Sequence, residues 1–231
     1  MSEQNKGYQV VYTGGVGEIV EKKSRFICTV KPVQSEEEAT DFINEMKKKY
    51  WDAKHNCSAF VIGSKQQLTR CSDDGEPAST AGRPMPDVLL REGICEVAVV
   101  VTRYFGGVLL GTGGLVRAYQ GAVAAGLEAS TIITKLNGKL LNIKTDYNGL
   151  GKLQFIFAQN EISIRDTLYE ADVNIEVLVP EEKKNMLEKA IIEATSATAV
   201  LEWGEDCIYA VLDKEIILFF KNFILGVDTL W

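Results

Sequence analysis

No stretch of this chain is both long and apolar enough to cross a bilayer, which takes about 20 residues. The most apolar run, Ile216-Ile217-Leu218-Phe219-Phe220, is interrupted by Lys221 and Asn222. The opening residues, Met1 to Lys6, carry no apolar segment of the kind that begins a signal peptide. Histidine occurs once, which excludes a multi-histidine metal centre. The five cysteines, Cys28, Cys57, Cys71, Cys95 and Cys207, are odd in number, irregularly spaced and without a Cys-x-x-Cys pair. They point to reduced thiols in a cytoplasmic protein, not to a disulfide framework or a zinc site. Positive charge is also short. Lys and Arg total 25 against 32 Asp and Glu, a net charge of -7, so bulk attraction to nucleic acid is excluded and only a local basic patch remains open.

What is present is an ordinary globular composition: 231 residues, 46% hydrophobic and 25% charged. That length suits two domains of roughly 100 residues, each with its own core. The charge is uneven. Residues 1–134 hold 15 Lys and Arg against 16 acids, and residues 135–231 hold 10 against 16, so an anionic partner is expected to meet the first half.

The first half reads as mixed α and β. Ser24 to Val30 is a strand pattern. Ser35 followed by Glu38 forms a capping box, and Ala39, Phe42, Ile43 and Met46 continue it as a helix to about Tyr50. Cys57 to Ile62 reads as a strand, and Arg70 to Pro86 as a polar segment too irregular for regular structure. Glu96 to Thr102 is a β-branched run typical of a buried central strand. A glycine-rich turn leads from it into a helix over Leu115 to Ser130. The second half reads strand (139–145), helix (147–160), hairpin (162–169 and 173–179), helix from Pro180, and strand (198–203). This β-α-β-β-α-β order is that of a ferredoxin-like split βαβ domain, with the boundary near Thr134 to Gly138.

Chemistry concentrates in three places. In the stretch from Arg103 to Arg117, Gly106, Gly107, Gly111, Gly113 and Gly114 let backbone amides approach a ligand where a helix begins, and Thr112 adds a hydroxyl. Arg103 and Arg117 are placed to flank one anion. The third glycine of a dinucleotide fingerprint is replaced by Val116, and no Gly-Lys-Ser/Thr of a P-loop follows. The plain alternative is that these glycines serve only tight turns and close packing. Second, Asp73, Asp74 and Glu76, with Arg83 nearby, offer oxygen ligands to a divalent ion or simply bond their own loop. The spacing is not that of an EF-hand, and no metal or cofactor is assigned. Third, His55 lies two residues from Cys57. It pairs with Cys57, Cys71 or Ser72 as a base–nucleophile couple, or it is merely packed. The apolar end, Ile216 to Trp231, reads as a docking helix, an oligomer contact or a membrane-surface element, or it packs on its own domain.

Lys23-Ser24-Arg25-Phe26, Ala53 to Cys57, Ser72 to Pro77, Thr80 to Met85 and the long run Thr102 to Tyr119 together resemble the YigZ/IMPACT family over about residues 18–130. The second half resembles the second domain of its bacterial members. The resemblance implies an α+β protein with an IMPACT-type domain over 18–134. That domain is similar to domain 2 of a small-subunit ribosomal protein and to small-molecule kinases of the GHMP type. A ferredoxin-like domain similar to part of elongation factor G follows over 138–205; the apolar tail, 206–231, is not part of the resemblance, and the chain departs from the family pattern after about Glu215. Eukaryotic members restrain a starvation-sensing kinase of translation through an additional N-terminal domain not matched here, so that mechanism is not carried over. The family supplies no catalytic residues to transfer.

Three readings stay open. In the first, a non-enzymatic, translation-linked regulator binds RNA phosphates, the ribosome or a translation factor at Arg103, Gly111 to Gly114 and Arg117. In the second, an enzyme acts on a small phosphorylated ligand in the same cleft, using His55 and the loop acids. In the third, a regulator works through protein contacts alone.

Overall fold

The computed structural model describes residues 7–213 and 215–219. The described residues divide into two compact units, 8–134 and 135–219. The protein is α+β.

In the first unit the elements run β1 (Tyr8–Thr13), β2 (Val16–Glu21), β3 (Ser24–Pro32), α1 (Glu36–Lys49), β4 (His55–Ile62), β5 (Leu68–Ser72), α2 (Pro84–Arg91), β6 (Ile94–Cys95), β7 (Val97–Tyr104) and α3 (Thr112–Glu128). Five strands form an antiparallel sheet in the order β2-β3-β7-β4-β5, and β1 and β6 form a short parallel pair. The β-branched run is β7, the middle strand, buried from Val97 to Arg103. Such a strand is apolar at every position only if both sheet faces are covered. Phe42 and Met46 of α1 close one face over Phe60, Ala98 and Val100. On the other face Tyr119 of α3 meets the Phe26 ring edge-on at 5.2 Å. Gly126 lets the same helix come close: a Cβ there would stand 2.7 Å from the Cys28 sulfur.

The capping box forms with one change. The Glu38 N–H donates to the Ser35 hydroxyl at 3.1 Å, and the Glu38 carboxylate takes the N–H of Gln34, not that of Ser35. The segment expected to be irregular is not wholly so, since β5 closes at Ser72 and α2 starts at Pro84. Pro84 and Pro86 fall in the first turn, where an N–H has no helical partner and proline costs nothing.

In the second unit, β8 (Thr131–Thr145, from Lys135 onward), α4 (Tyr147–Gln159), β9 (Ser163–Tyr169), β10 (Val173–Pro180), α5 (Lys184–Ala194) and β11 (Val200–Leu212) take the expected β-α-β-β-α-β order. A last strand, β12 (Glu215–Phe219), follows. The sheet is antiparallel in the order β12-β11-β8-β10-β9. Leu141, Ile143, Ile175 and Val177 face Leu153 and Phe157 of α4 and Leu187 and Ile191 of α5. The Asp146 carboxylate caps α4 by accepting the Gly149 N–H at 2.7 Å. The helix expected from Pro180 opens as a single 3-10 turn, Glu181–Lys183, before α5. Residues 206–212 are not a separate tail but the continuation of β11. A bulge between Trp203 and Asp206 turns Cys207 and Tyr209 toward Leu178, Ile216 and Leu218, and that burial holds the end of the strand and β12 in the sheet. The remainder of the expected tail, 220–231, lies outside the described residues. No helix among the described residues is long and apolar enough to cross a membrane.

Candidate functional site

Strand register assembles the site. His55 at the start of β4 and Phe26 on β3 are both cross-strand partners of Arg103 at the end of β7, so the three side chains stand on one sheet face. The loop after β5 supplies Glu76. Asp73 shapes that loop from inside: its carboxylate accepts the N–H groups of Ser79 (2.9 Å), Ala81 (3.0 Å) and Gly82 (2.7 Å). Burial raises the Asp73 pKa, but these backbone donors outweigh it and hold the carboxyl below its usual range. At Gly82 a Cβ would lie 2.8 Å from the Ser72 carbonyl carbon, so the loop closes only over glycine. The Asp74 carboxylate accepts the Asn56 N–H (2.7 Å) and the Lys47 ammonium (2.6 Å). Burial opposes these bonds and loses to them, leaving the Asp74 pKa lowered as well.

Glu76 is 8% exposed and Arg103 6%. Arg103 Nη1 donates to Glu76 Oε1 at 2.5 Å, and the Tyr119 hydroxyl donates to the same oxygen at 2.9 Å. The guanidinium sits between the rings of Phe26 (5.3 Å) and Phe105 (5.6 Å), and its Nε is buried without a partner among the described residues. His55, 8% exposed, points Nδ1 at the Asp74 carbonyl oxygen (2.8 Å) and keeps Nε2 4.0 Å from Glu76 Oε1. The Cys57 thiol lies behind, 3.0 Å from the Asp73 carbonyl oxygen and 3.3 Å from the Tyr119 hydroxyl. Burial pushes it up to about 12, so at neutral pH it is a thiol and not a nucleophile beside His55.

A cavity of about 430 Å³ opens in front of these groups. His55, Glu76 and Arg103 form its polar part. Pro77, Phe105, Leu109, Leu110 and Leu115 supply apolar wall, and Lys54, Gly111 and Thr112 complete it. Leu109 is 82% exposed. Gly111 precedes α3 with φ +74° and no side-chain cap, so the first amides of a 17-residue helix are left to other partners.

Of the residues expected to share a site, His55, Glu76, Arg103, Gly111 and Thr112 come together around this cavity. Gly113 and Gly114 follow in the first turn of α3. Gly106 and Gly107 belong to the preceding loop. The Gly106 N–H donates to the Ser24 hydroxyl at 3.2 Å, and a Cβ on Gly106 would fall 2.0 Å from the Lys23 carbonyl carbon. Several expectations are not met in this geometry. Arg103 and Arg117 do not flank one anion: Arg103 is committed to Glu76, while Arg117 is exposed and outside the cavity lining. Asp73 and Asp74 do not face the cavity but hold the loop. Arg83 is an exposed residue beside Asp87 (3.8 Å). Among the described residues, no group of three or more His, Cys, Asp or Glu is gathered to hold a metal. Tyr119, Lys54 and Phe105 were not singled out from sequence. Tyr119 alone left a signal, as a polar-tipped ring on the apolar face of α3, one turn after Leu115.

The chain matches the family models "Impact N-terminal domain" over residues 22–127 and "Domain of unknown function (DUF1949)" over 143–198. It is 38% identical to IMPACT family member YvyE of Bacillus subtilis, over 86% of this chain and 91% of that one. It is 39% identical to IMPACT family member YigZ of Escherichia coli, over 70% and 80%. The protein IMPACT homolog of Dictyostelium discoideum is 36% identical over 44% of this chain and 29% of its own. A solved structure described as a crystal structure of a hypothetical protein superposes with TM-score 0.55 and 32% identity, over 87% of this chain and 98% of that one.

Proposed function

The chain belongs to the IMPACT family, and on that premise we propose that its first domain is a binding module whose cavity takes a phosphate-bearing ligand, within a regulatory role linked to translation. The observation that carries the reading is the uncapped start of α3, which opens on a concave site that Lys54 also lines. Backbone amides at a helix start favour an anion by both hydrogen bonding and dipole. An apolar-walled cavity with a few convergent polar groups is the usual form of a small-ligand site. The link to translation rests on the resemblance of both domains to parts of that machinery.

Phosphate can arrive on RNA or on a small molecule. RNA would meet Lys54 and Arg117 from solvent, with Arg103 acting only through the wall it builds. A small phosphorylated ligand would enter the cavity, and an enzyme acting on it is the second reading. His55 and Glu76, side by side in the wall, favour that reading. The test is fluorescence anisotropy with single-stranded RNA at low and near-physiological salt, with ribose 5-phosphate as competitor. Salt-sensitive RNA binding that weakens in Arg117→Ala supports the RNA form. Binding of the small ester alone supports the second reading. If neither binds at low salt, the phosphate reading is overturned, and a role through protein contacts alone remains.

A further inference from the structure

We infer that the ligand's phosphate is accompanied by a hydroxyl group, and that His55 Nε2 and Glu76 Oε2 receive it; this rests on the phosphate reading above. A carbonyl oxygen only accepts, so the 2.8 Å contact between His55 Nδ1 and the Asp74 carbonyl places the proton of the neutral ring on Nδ1 and the lone pair on Nε2. That lone pair belongs to a residue lining the cavity, and Nε2 makes no hydrogen bond among the described residues. Glu76 is arranged the same way. Among the described residues the donors that reach its carboxylate, Arg103 and Tyr119, converge on Oε1 and none reaches Oε2. The Glu76 side chain is 3% exposed and that of His55 10%. Two nearly buried acceptors therefore lack a hydrogen-bond donor among the described residues, in a cavity whose remaining polar groups, the Lys54 ammonium, the Arg103 guanidinium, the Thr112 hydroxyl and the first amides of α3, all can donate.

A ligand that satisfies both ends carries an anion and at least one hydrogen-bond donor. Arg103 already neutralises Glu76, so a neutral hydroxyl suits the acceptor end better than an ammonium. The ligand class is a hydroxylated phosphate monoester, such as a pentose phosphate or a nucleoside monophosphate. In the nucleotide case the half-exposed Phe105 ring is placed to take the base.

The chain has one histidine, so the imidazole nitrogens of untagged, 15N-labelled protein give a single pair of NMR signals. We would titrate ribose 5-phosphate, adenosine 5′-monophosphate and methyl phosphate, which lacks a hydroxyl, against wild type and His55→Asn. Asparagine keeps a donor for the Asp74 carbonyl and removes the Nε2 acceptor. The expected result is that at least one hydroxylated ester binds about tenfold more tightly than methyl phosphate and moves the Nε2 signal. That preference should fall to about one in the variant. A higher affinity for the nucleotide than for the pentose phosphate would identify the base as part of the ligand. Equal affinities with an unmoved Nε2 signal would overturn the hydroxyl inference while leaving the phosphate site standing. If no phosphate compound binds, both fall. Thermal melting of His55→Asn at the wild-type temperature shows that a lost preference is not lost folding.

Discussion

Arg103 and Glu76 meet at 2.5 Å with both side chains almost fully enclosed, which makes the one arginine of the cavity a structural cation before it is a binding one. Removing one member strands the other as a buried, uncompensated charge. Arg103→Ala should therefore cost about 3–5 kcal/mol, read as a lower urea midpoint. Arg103→Met combined with Glu76→Leu should recover much of that loss. Tyr119→Phe keeps the ring against Phe26 and drops both the bond to Glu76 and the one accepted from the Cys57 thiol, at about 1–2 kcal/mol. If Arg103→Ala melts like wild type, the pair is not holding this part of the fold. It follows that weaker ligand binding by an Arg103 variant says little about a direct contact. Arg117, exposed and outside the cavity, is the cleaner probe of RNA.

Gly106 and Gly107 are neighbours with opposite constraints. A Cβ at Gly106 would overlap the Lys23 backbone, whereas at Gly107 there is open space but φ is +83°. Gly106→Ala should lower stability by about 1–3 kcal/mol through forced backbone displacement, and Gly107→Ala by about 1–2 kcal/mol through left-handed strain alone. Gly107→Asn, which tolerates that backbone region better, should recover part of the second loss. Melting curves for the three variants check these losses, and a Gly106→Ala variant that melts like wild type would contradict the close approach to the Lys23 backbone.

These pairs also mark how far the sequence could be read. The β7 run, the Ser35 cap and the second-domain order were legible because each depends on residues close in the chain. His55, Glu76 and Arg103 could be named as candidates, but not as neighbours. Their meeting depends on the register of β4 against β7 and on how Asp73 folds its loop, and neither leaves a local pattern. The same limit explains Arg117, whose spacing from Arg103 suggested a shared anion that the orientation of α3 does not provide. β5 and α2 were hidden by polar and proline residues that are compatible with an edge strand and a first helical turn.

Asp73 gives the site a pH dependence. Its carboxyl is held below the ordinary value of 3.8 in the folded chain, so there the unfolded state binds more protons than the folded one. The stabilisation from Asp73 is complete above that ordinary value and is lost as pH falls below it, through the folded-state pKa. Asp73→Asn cannot match three N–H acceptances with a carboxylate and should be less stable than wild type at pH 7. The gap between the two should close as the pH is lowered below 3.8. Urea titrations at pH 7, 5 and 3 measure it, and a gap that stays constant across the series would show that the loop is not held by the ionised carboxylate.

Thiol chemistry offers a view of the site from behind. Cys71 is exposed, while Cys28, Cys57, Cys95 and Cys207 are buried. Burial lifts Cys28 and Cys57 to about 12, so both lack thiolate as well as access at pH 8. A disulfide reagent under native conditions should titrate one fast thiol per chain, and Cys71→Ser should remove it. Cys57 is fully buried, and its thiol bonds the Asp73 carbonyl of the Asp73–Gly82 loop and the Tyr119 hydroxyl, so it reacts only when the packing around these groups opens. Its slow labelling, followed by mass spectrometry in the Cys71→Ser background, therefore reports opening of the cavity's inner wall. A ligand that bonds Glu76 and His55 should slow it in proportion to occupancy, whereas one that only rests on Arg117 should leave it unchanged. Fast labelling of Cys57 in the free protein would mean that this wall is open much of the time, and the buried Arg103–Glu76 pair could not then be what holds it shut.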